Sequence, residues 1–270
     1  MLFYRTLCLL AGILWASTAL GQQNVSFTQV LEQPYNEPSR ILNYGVDDSQ
    51  SIAVWAAEKP TADVIFIHGG CWLSAYDIKH TYALSSALQQ ANYNVYSIEY
   101  RRTGATGGGW PTTYDDIQHA IDKILTLRDD GLALAVSGHS AGGHLALLLS
   151  SDARYKNHID TVIGLAAITD VARYAAGSNS CERVTTDFMG GSPAERANQY
   201  RAANPVTKTA HPRTLLLQGT DDAIVAPDYA ELIPQATITM VDGAGHFDWV
   251  HPQTEAFKTF LDTLKQVNHD

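Results

Sequence analysis

The chain has 270 residues, of which 45% are hydrophobic and 17% are charged, an ordinary balance for a globular protein and not that of a disordered one. Its formal net charge of −10, with no cluster of lysine and arginine, argues against a nucleic-acid partner and leaves the substrate open. A chain of this length can form one large α/β domain with a sizeable core.

The first 21 residues have the features of a secretory signal peptide. Arg5 supplies the positive charge, residues 7–15 form a short apolar stretch, and Ala19 and Gly21 provide a small-x-small cleavage site. The apolar stretch is short for a membrane anchor, and the cleavage site is not followed by the cysteine of a lipoprotein. We therefore predict a secreted or periplasmic protein, with a cleaved signal peptide and no membrane span after cleavage.

Residues 22–270 are predicted to form a single domain in which strands and helices alternate. Residues 22–50 read as irregular, since Pro34 and Pro38 oppose any long element. Strands are expected at 51–57, 63–67, 94–99, 132–136, 161–167, 214–218 and 236–241, and helices at 78–90, 111–128, from 141 onward, and at 254–267. This alternation predicts an α/β protein with a mostly parallel, doubly wound sheet and helices on both faces.

Residues 170–210 interrupt the alternation. They are less periodic than the rest and contain Gly190, Gly191 and Pro193, which favour turns and short elements. We expect them to form short helices over the sheet edge, as a small cap segment.

The first chemical motif along the chain is the H-G-G-C-W sequence at residues 68–72, which follows a predicted strand. Glycine lets the backbone approach a ligand closely, and a loop of this type supplies amides to an oxyanion hole. We expect the amides of Gly70 and Cys71, with that of Ala141 further along, to stabilise a developing negative charge. His68 is expected to brace the loop through hydrogen bonds.

The second motif lies between a predicted strand and a predicted helix. Gly138 and Gly142 stand two positions on either side of Ser140, in the G-x-S-x-G pattern of a nucleophile elbow. A Cβ at either glycine would clash where the chain folds back, and a strained backbone would lift the serine Oγ clear of the main chain. The following helix would aim free amides at the reaction centre. We therefore predict Ser140 as the nucleophile.

A serine hydroxyl is a weak nucleophile at neutral pH, so Ser140 needs a base and the base needs an orienting acid. His246 lies in a loop after the last predicted strand and is the predicted base. Asp222, in a G-x-x-D-x-x-V pattern after the preceding strand, is the predicted acid, while Asp221 is expected to be a turn residue. Asp242 is an alternative orienter, although its position favours a turn. The chain order Ser, Asp, His is that of α/β-hydrolases.

Other side chains carry less specific signals. His139 and His144 flank the nucleophile in sequence and are expected to be structural. Trp72 and Trp110 are candidates for the wall of a substrate pocket, with core packing as the alternative for each. The E-Y-R-R sequence at residues 99–102 favours a structural ion-pair cluster over a site for an acidic substrate.

Cys71 and Cys181 remain after removal of the signal peptide. They can pair in an oxidising compartment, but the sequence alone does not distinguish a disulfide from two separate buried thiols. Our working hypothesis is that the two cysteines lie close enough to pair. The bond would join the loop at residues 68–72, the oxyanion loop, to the 170–210 segment. Zinc-type histidine pairs, a dinucleotide-binding glycine loop and a P-loop are absent from the sequence, so we predict no metal and no other cofactor.

The chain resembles a family, the α/β-hydrolases of the esterase/lipase and kynurenine-formamidase-like group, over most of residues 40–265. The resemblance rests on the sequences at 44–45, 68–72, 99–102, 107–111, 138–144, 188–193 and 245–248. The H-G-G-x-W form is typical of the formamidase-like branch, although that branch commonly has an aromatic residue or glycine at the position of Cys71. Ser140, Asp222 and His246 fall on the triad positions of the family.

The motifs and the resemblance imply a serine hydrolase of the carboxylesterase type that acts on a small-molecule ester or amide. An ester of a short acyl chain is the first expectation, and an arylformamidase activity is the alternative. A peptidase, or a non-catalytic binding protein on the same fold, is a more distant alternative. The sequence makes no prediction of the oligomeric state.

Overall fold

The computed structural model describes residues 24–129 and 131–268. The predicted signal peptide at residues 1–21 lies outside these ranges. Within them, none of the helices combines the length and the apolar character needed to cross a membrane.

The described residues form one eight-stranded sheet in the order β1-β2-β4-β3-β5-β6-β7-β8. Its strands are β1 (Arg40–Asn43), β2 (Ser51–Trp55), β3 (Ala62–Ile67), β4 (Tyr93–Ile98), β5 (Leu134–His139), β6 (Thr161–Leu165), β7 (Thr214–Gly219) and β8 (Thr237–Val241). The ladders from β4 to β8 are parallel, whereas β1 and β2 pair antiparallel with their neighbours. The predicted mostly parallel sheet is confirmed.

Helices cover both faces of this sheet. They are α1 (Phe27–Leu31), α2 (Tyr82–Gln90), α3 (Thr112–Leu125), α4 (Ala141–Ser151), α5 (Val171–Tyr174), α6 (Ser180–Met189), α7 (Ala197–Ala203) and α8 (Glu255–Lys265). Successive strand residues point to opposite faces. Ile65 and Ile67 accordingly share a core with α3 and α4, while Val64 and Phe66 share another with α2 and α8. The sheet is therefore doubly wound, with a core on each of its two faces.

The reading of residues 22–50 as irregular is only partly right. The structure places α1 and the edge strand β1 in this stretch. Ser26 caps α1 in a reciprocal capping box with Gln29, a signal present in the sequence as S-x-x-Q. Three of the four residues of β1 are exposed. The strand therefore lacks the alternation of buried apolar residues from which strands are predicted.

Candidate active site

The turn between β5 and α4 holds Ser140 in a strained backbone conformation. Its φ of 55° and ψ of −117° lie in a region that residues with a Cβ rarely occupy. The chain is closed tightly on both sides of the serine. A Cβ on Gly138 would collide with the carbonyl of Gly142, and a Cβ on Gly142 would collide with the carbonyl of Ile67. The turn therefore needs both glycines of the motif.

His246 and Asp222 meet in the loops beyond β7 and β8. Nδ1 of His246 lies 2.8 Å from Oδ2 of Asp222, so the ring donates to the carboxylate and keeps Nε2 for other chemistry. Oδ1 of Asp222 accepts the amides of Ile224 (2.8 Å) and Val225 (2.9 Å). Burial by itself raises the pKa of Asp222, but His246 and these amides outweigh burial, and the pKa is lowered. The carboxylate is thus held charged against the imidazole.

Ser140 and His246 belong to the wall of the same pocket, which has a cavity volume of about 140 Å³. Both lie at the carboxyl edge of the sheet, because β5, β7 and β8 run parallel and end on the same side. With Asp222 behind the imidazole, the three predicted triad residues are brought to one place. This is the arrangement expected of a nucleophile, a base and an acid that orients the base.

The loop after β3 turns through three residues with positive φ: Gly70 (102°), Cys71 (54°) and Trp72 (57°). Within the described residues, the amides of Gly70, Cys71 and Ala141 donate no hydrogen bond. Gly70 and Cys71 line the pocket beside Ser140, and Ala141 follows the serine as the first residue of α4. These amides are available to an oxyanion, which is the role predicted for them.

His68 braces this loop from beneath, as expected. Its Nδ1 lies 2.8 Å from the carbonyl oxygen of Gly69, and its Nε2 lies 3.0 Å from Oε1 of Glu99. The ring stacks on Tyr100 with centroids 4.4 Å apart, and the Tyr100 hydroxyl donates to the His68 carbonyl at 2.8 Å. Each ring nitrogen thus lies within hydrogen-bond distance of an oxygen, and the buried ring links the loop to Glu99.

Glu99 directly follows β4 and accepts hydrogen bonds from several groups. Its carboxylate accepts the amides of Ile78 and Tyr100, each at 2.9 Å, and the guanidinium of Arg102 at 3.3 Å. Burial raises the pKa of Glu99, but His68, Arg102 and the Ile78 amide together lower it further than burial raises it. The ion-pair reading of residues 99–102 is confirmed, and the cluster supports the oxyanion loop.

Cys71 and Cys181 form a disulfide, with Cα atoms 5.2 Å apart. The bond joins the oxyanion loop to the first turn of α6, in the 170–210 segment. The question that the sequence left open is answered in favour of pairing, and one of the predicted oxyanion donors is tied directly to the wall above it.

The rest of the pocket wall is uncharged. It includes the rings of Phe27, Tyr76, His80 and Phe247, together with Ser180 and Ile224. Among the described residues, no lysine, arginine, aspartate or glutamate contributes to this wall. These four rings were not predicted from the sequence to line the pocket. The capping box of α1 is the signal that could have drawn attention to Phe27, because it fixes a helix beginning at that residue.

The two tryptophans predicted to bind substrate do not line this pocket in the part of the chain that the structure describes. Trp72 is fully buried and stacks on Phe188 with centroids 4.5 Å apart. Trp110 stacks on Tyr114 at 5.6 Å. The core-packing alternative therefore describes Trp72, and neither tryptophan contributes to the wall around Ser140 in the described residues.

His139 and His144 are structural, as expected. Nε2 of His139 lies 2.9 Å from the carbonyl oxygen of His246, and Nε2 of His144 lies 2.7 Å from that of Ala203. Burial lowers the pKa of both rings, that of His144 to about 4. His139 therefore acts as a neutral donor that holds the backbone of the predicted base.

The alternative acids lie outside the histidine contact. The amide of Asp221 donates to the carbonyl of Ala244 at 3.0 Å, and its side chain is exposed. Asp242 accepts from the Thr220 hydroxyl at 3.3 Å. Both therefore serve the turn. Within the described ranges, no group of histidine, cysteine or acidic residues has the arrangement of a metal site.

The family of this chain is shown by its similarity to known proteins. Residues 54–236, well over half of the chain, match the BD-FAE family. The chain belongs to the BD-FAE family. The match contains Ser140 and Asp222, whereas His246 and Phe27 lie outside it. The BD-FAE assignment and the fold together make the protein an α/β-hydrolase of the esterase/lipase type.

Two curated relatives agree with the BD-FAE assignment. Esterase LipC of Mycobacterium tuberculosis is 27% identical over 273 residues, covering 85% of this chain and 66% of the relative. Kynurenine formamidase of Meyerozyma guilliermondii is 26% identical over 215 residues, covering 72% of this chain and 79% of the relative. This chain thus spans just under two thirds of the mycobacterial esterase.

Solved structures share the fold at lower identity. A truncated carbohydrate esterase from gut microbiota superposes with a TM-score of 0.71 at 19% identity, over 88% of this chain and 99% of that one. Esterase B from Lactobacillus Rhamnosis gives a TM-score of 0.70 at 16% identity, over 87% and 88%. At such identities the likeness establishes the α/β-hydrolase fold.

Proposed function

We propose that this protein hydrolyses carboxylic esters of short acyl chain through an acyl-enzyme formed on Ser140. One observation carries the proposal: His246, whose Nδ1 lies 2.8 Å from Oδ2 of Asp222, shares the wall of a small pocket with a serine held in an elbow. The two curated relatives are an esterase and a formamidase, and both names describe attack on a carbonyl carbon.

In the proposed reaction, Oγ of Ser140 attacks the ester carbonyl while Nε2 of His246 takes the hydroxyl proton. The charge that develops on the carbonyl oxygen is stabilised by the amides of Gly70, Cys71 and Ala141. His246 then gives its proton to the leaving alcohol, and Asp222 stabilises the imidazolium. Water, activated by the same histidine, attacks the acyl-enzyme and releases the acid.

The size and lining of the pocket support a small, uncharged ester. Its volume of about 140 Å³ is less than the roughly 300–1,000 Å³ that holds a drug-sized ligand. The uncharged wall offers no partner for an ionised substrate.

An arylformamide amidohydrolase is the second candidate. The kynurenine formamidase relative favours it, and so do the rings of Phe27, Tyr76 and Phe247, which offer a surface against which an aryl group can pack. The catalytic steps would be the same, with an amine as the leaving group.

We further propose that the protein is exported to a periplasmic or extracellular location. The predicted signal peptide and the disulfide both support this proposal, because structural disulfides persist in oxidising compartments. Amino-terminal sequencing of the mature protein tests it, and a chain beginning at Gln22 is the expected result. A protein that keeps its first residues in the cytoplasm would contradict it.

The catalytic proposal is tested by labelling with a fluorophosphonate, followed by peptide mapping, and by turnover of a panel of substrates. We expect the label on Ser140. We also expect acetyl and propionyl esters to be cleaved faster than long-chain esters, and esters faster than an N-formyl aniline. A reversed order between ester and formamide would favour the second candidate. A folded protein that takes no label would contradict both.

A further inference from the structure

A series of aromatic contacts leads away from the proposed base along the pocket wall. The rings of His246 and Phe247 are 5.2 Å apart, and Phe247 is 5.5 Å from Phe27. Phe27 in turn contacts His80 at 5.6 Å and Tyr76 at 5.4 Å. The wall is therefore apolar from His246 as far as His80, where a ring with polar atoms occurs.

His80 is itself almost completely buried, with 4% of its surface exposed. Its Nδ1 lies 2.6 Å from the carbonyl oxygen of Asp77, and a carbonyl can only accept, so Nδ1 carries the proton. Burial, with a contribution from His68, lowers the pKa of His80 to about 3. The ring is therefore neutral at physiological pH, and its Nε2 is an acceptor.

The Nε2 atom of His80 has no partner among the described residues. Nε2 of His80 remains accessible, whereas Nδ1 of His139 is buried without a partner. An accessible acceptor on a ring that is otherwise buried in a pocket wall is placed to meet a donor on a bound molecule.

The neighbours of His80 indicate which part of a substrate it would meet. In the proposed function, His246 hands its proton to the oxygen of the leaving alcohol, so the alcohol lies beside His246. The ring series of Phe247 and Phe27 extends from there to His80. Because Ser140, His246 and His80 line one pocket of about 140 Å³, a hydroxyl on the alcohol part of a small ester would lie close to the free acceptor.

We propose that His80 is a substrate-binding residue that accepts a hydrogen bond, at Nε2, from a hydroxyl group on the alcohol part of the ester. The preferred substrates are then esters whose alcohol carries at least one further hydroxyl. This inference rests on the proposed esterase function and deepens it. A site built around a buried acceptor rejects an analogue that lacks the donor, because the acceptor is then left unsatisfied.

The test compares 2-hydroxyethyl acetate with propyl acetate, which replaces the hydroxyl by a methyl group of similar size. We expect kcat/KM of the wild type to be about tenfold higher for the hydroxy ester, the order of magnitude of one hydrogen bond to a neutral acceptor. Most of that difference should lie in KM, since the contact is made before and during the reaction.

Two variants at position 80 separate recognition from folding. In His80→Asn the amide nitrogen can still donate to Asp77 while the outer acceptor is lost, and the ratio between the two esters should fall to about one. In His80→Gln the amide oxygen reaches further out, and part of the preference should return. His119→Phe, a change at an exposed histidine of α3, is the control and should keep the wild-type ratio.

The assignment is overturned if the wild type cleaves both acetates at equal rates, or if His80→Asn keeps the preference. It is also overturned if the preference follows a hydroxyl in the acyl part, measured with ethyl 3-hydroxybutanoate against ethyl 3-methylbutanoate. Failure of the proposed function gives a different result: the wild type cleaves no ester and takes no fluorophosphonate label.

Discussion

Ser140 is the predicted nucleophile and also has a strained backbone conformation. Substitution can separate its effect on activity from its effect on stability. A residue held at φ 55° and ψ −117° costs on the order of 1–3 kcal/mol unless it is glycine. We expect Ser140→Gly to abolish ester hydrolysis while raising the free energy of unfolding by about 1 kcal/mol, measured in urea. Asn92→Gly relieves another positive φ, of 68°, outside the pocket and should leave activity intact. A destabilised Ser140→Gly would mean that the turn is not strained.

The two adjacent acids offer a second test at the scale of single residues. Asp222→Asn keeps the shape but presents the wrong partner to His246, and by analogy with the serine-protease triad we expect kcat to fall on the order of 10⁴-fold. Asp221→Asn changes an exposed side chain and should alter kcat by less than about twofold. Equal losses in the two variants would refute the assignment of the acid.

Among the elements, the carboxyl end of β4 supports the oxyanion loop through a buried charge cluster. Glu99→Gln removes the negative charge, leaves the buried Arg102 without its counter-ion and weakens the contact with His68. Breaking such a pair typically costs about 3–5 kcal/mol. We expect that loss in urea unfolding, with a lower kcat because the loop loses its brace. Glu58→Gln, on an exposed side chain, is the matched control.

The lowered pKa of Glu99 leads to a prediction for the pH dependence of stability. The pKa of Glu99 is lower in the folded protein than its ordinary value of about 4.3, so the unfolded chain binds the proton more readily. The stabilisation from Glu99 is therefore complete above about pH 4.3 and is lost as the pH falls through the folded pKa. The free energy of unfolding of the wild type should fall more steeply below pH 4.3 than that of Glu99→Gln. Parallel curves would contradict this.

The catalytic elements were predictable because chemistry and geometry restrict them locally. Gly138 and Gly142 are needed by the turn itself, so the elbow can be recognised from five residues. The position of Trp72 was not predictable, because its positive φ, and hence the direction of its ring, is set by a turn of three residues. Phe27 was missed because a helix of five residues gives too short a periodic pattern.

On the scale of the whole molecule, the disulfide connects parts of the chain separated by 110 residues. Closing a loop of that size can stabilise the folded protein by on the order of 4–5 kcal/mol in the chain-entropy model, an upper figure. We expect the Cys71→Ser/Cys181→Ser double variant to have a lower Tm and a lower kcat, because the oxyanion loop is no longer tied to α6. Treatment of the wild type with a reductant should reproduce both losses. If the variant loses stability alone, the bond has no part in positioning the loop.

The contact between Phe27 and Phe247 joins two segments of the chain that are synthesised at different times. Nearby, the amide of Val25 donates to a carboxylate oxygen of Asp248, 3.4 Å away and 223 residues later in the chain. A ribosome delivers the first of these segments long before the second, and contacts so distant in sequence form late in folding. The pocket acquires its predicted base and the ring of Phe247 only after these late residues have been synthesised. A chain cut short before His246 is therefore expected to be unable to cleave esters.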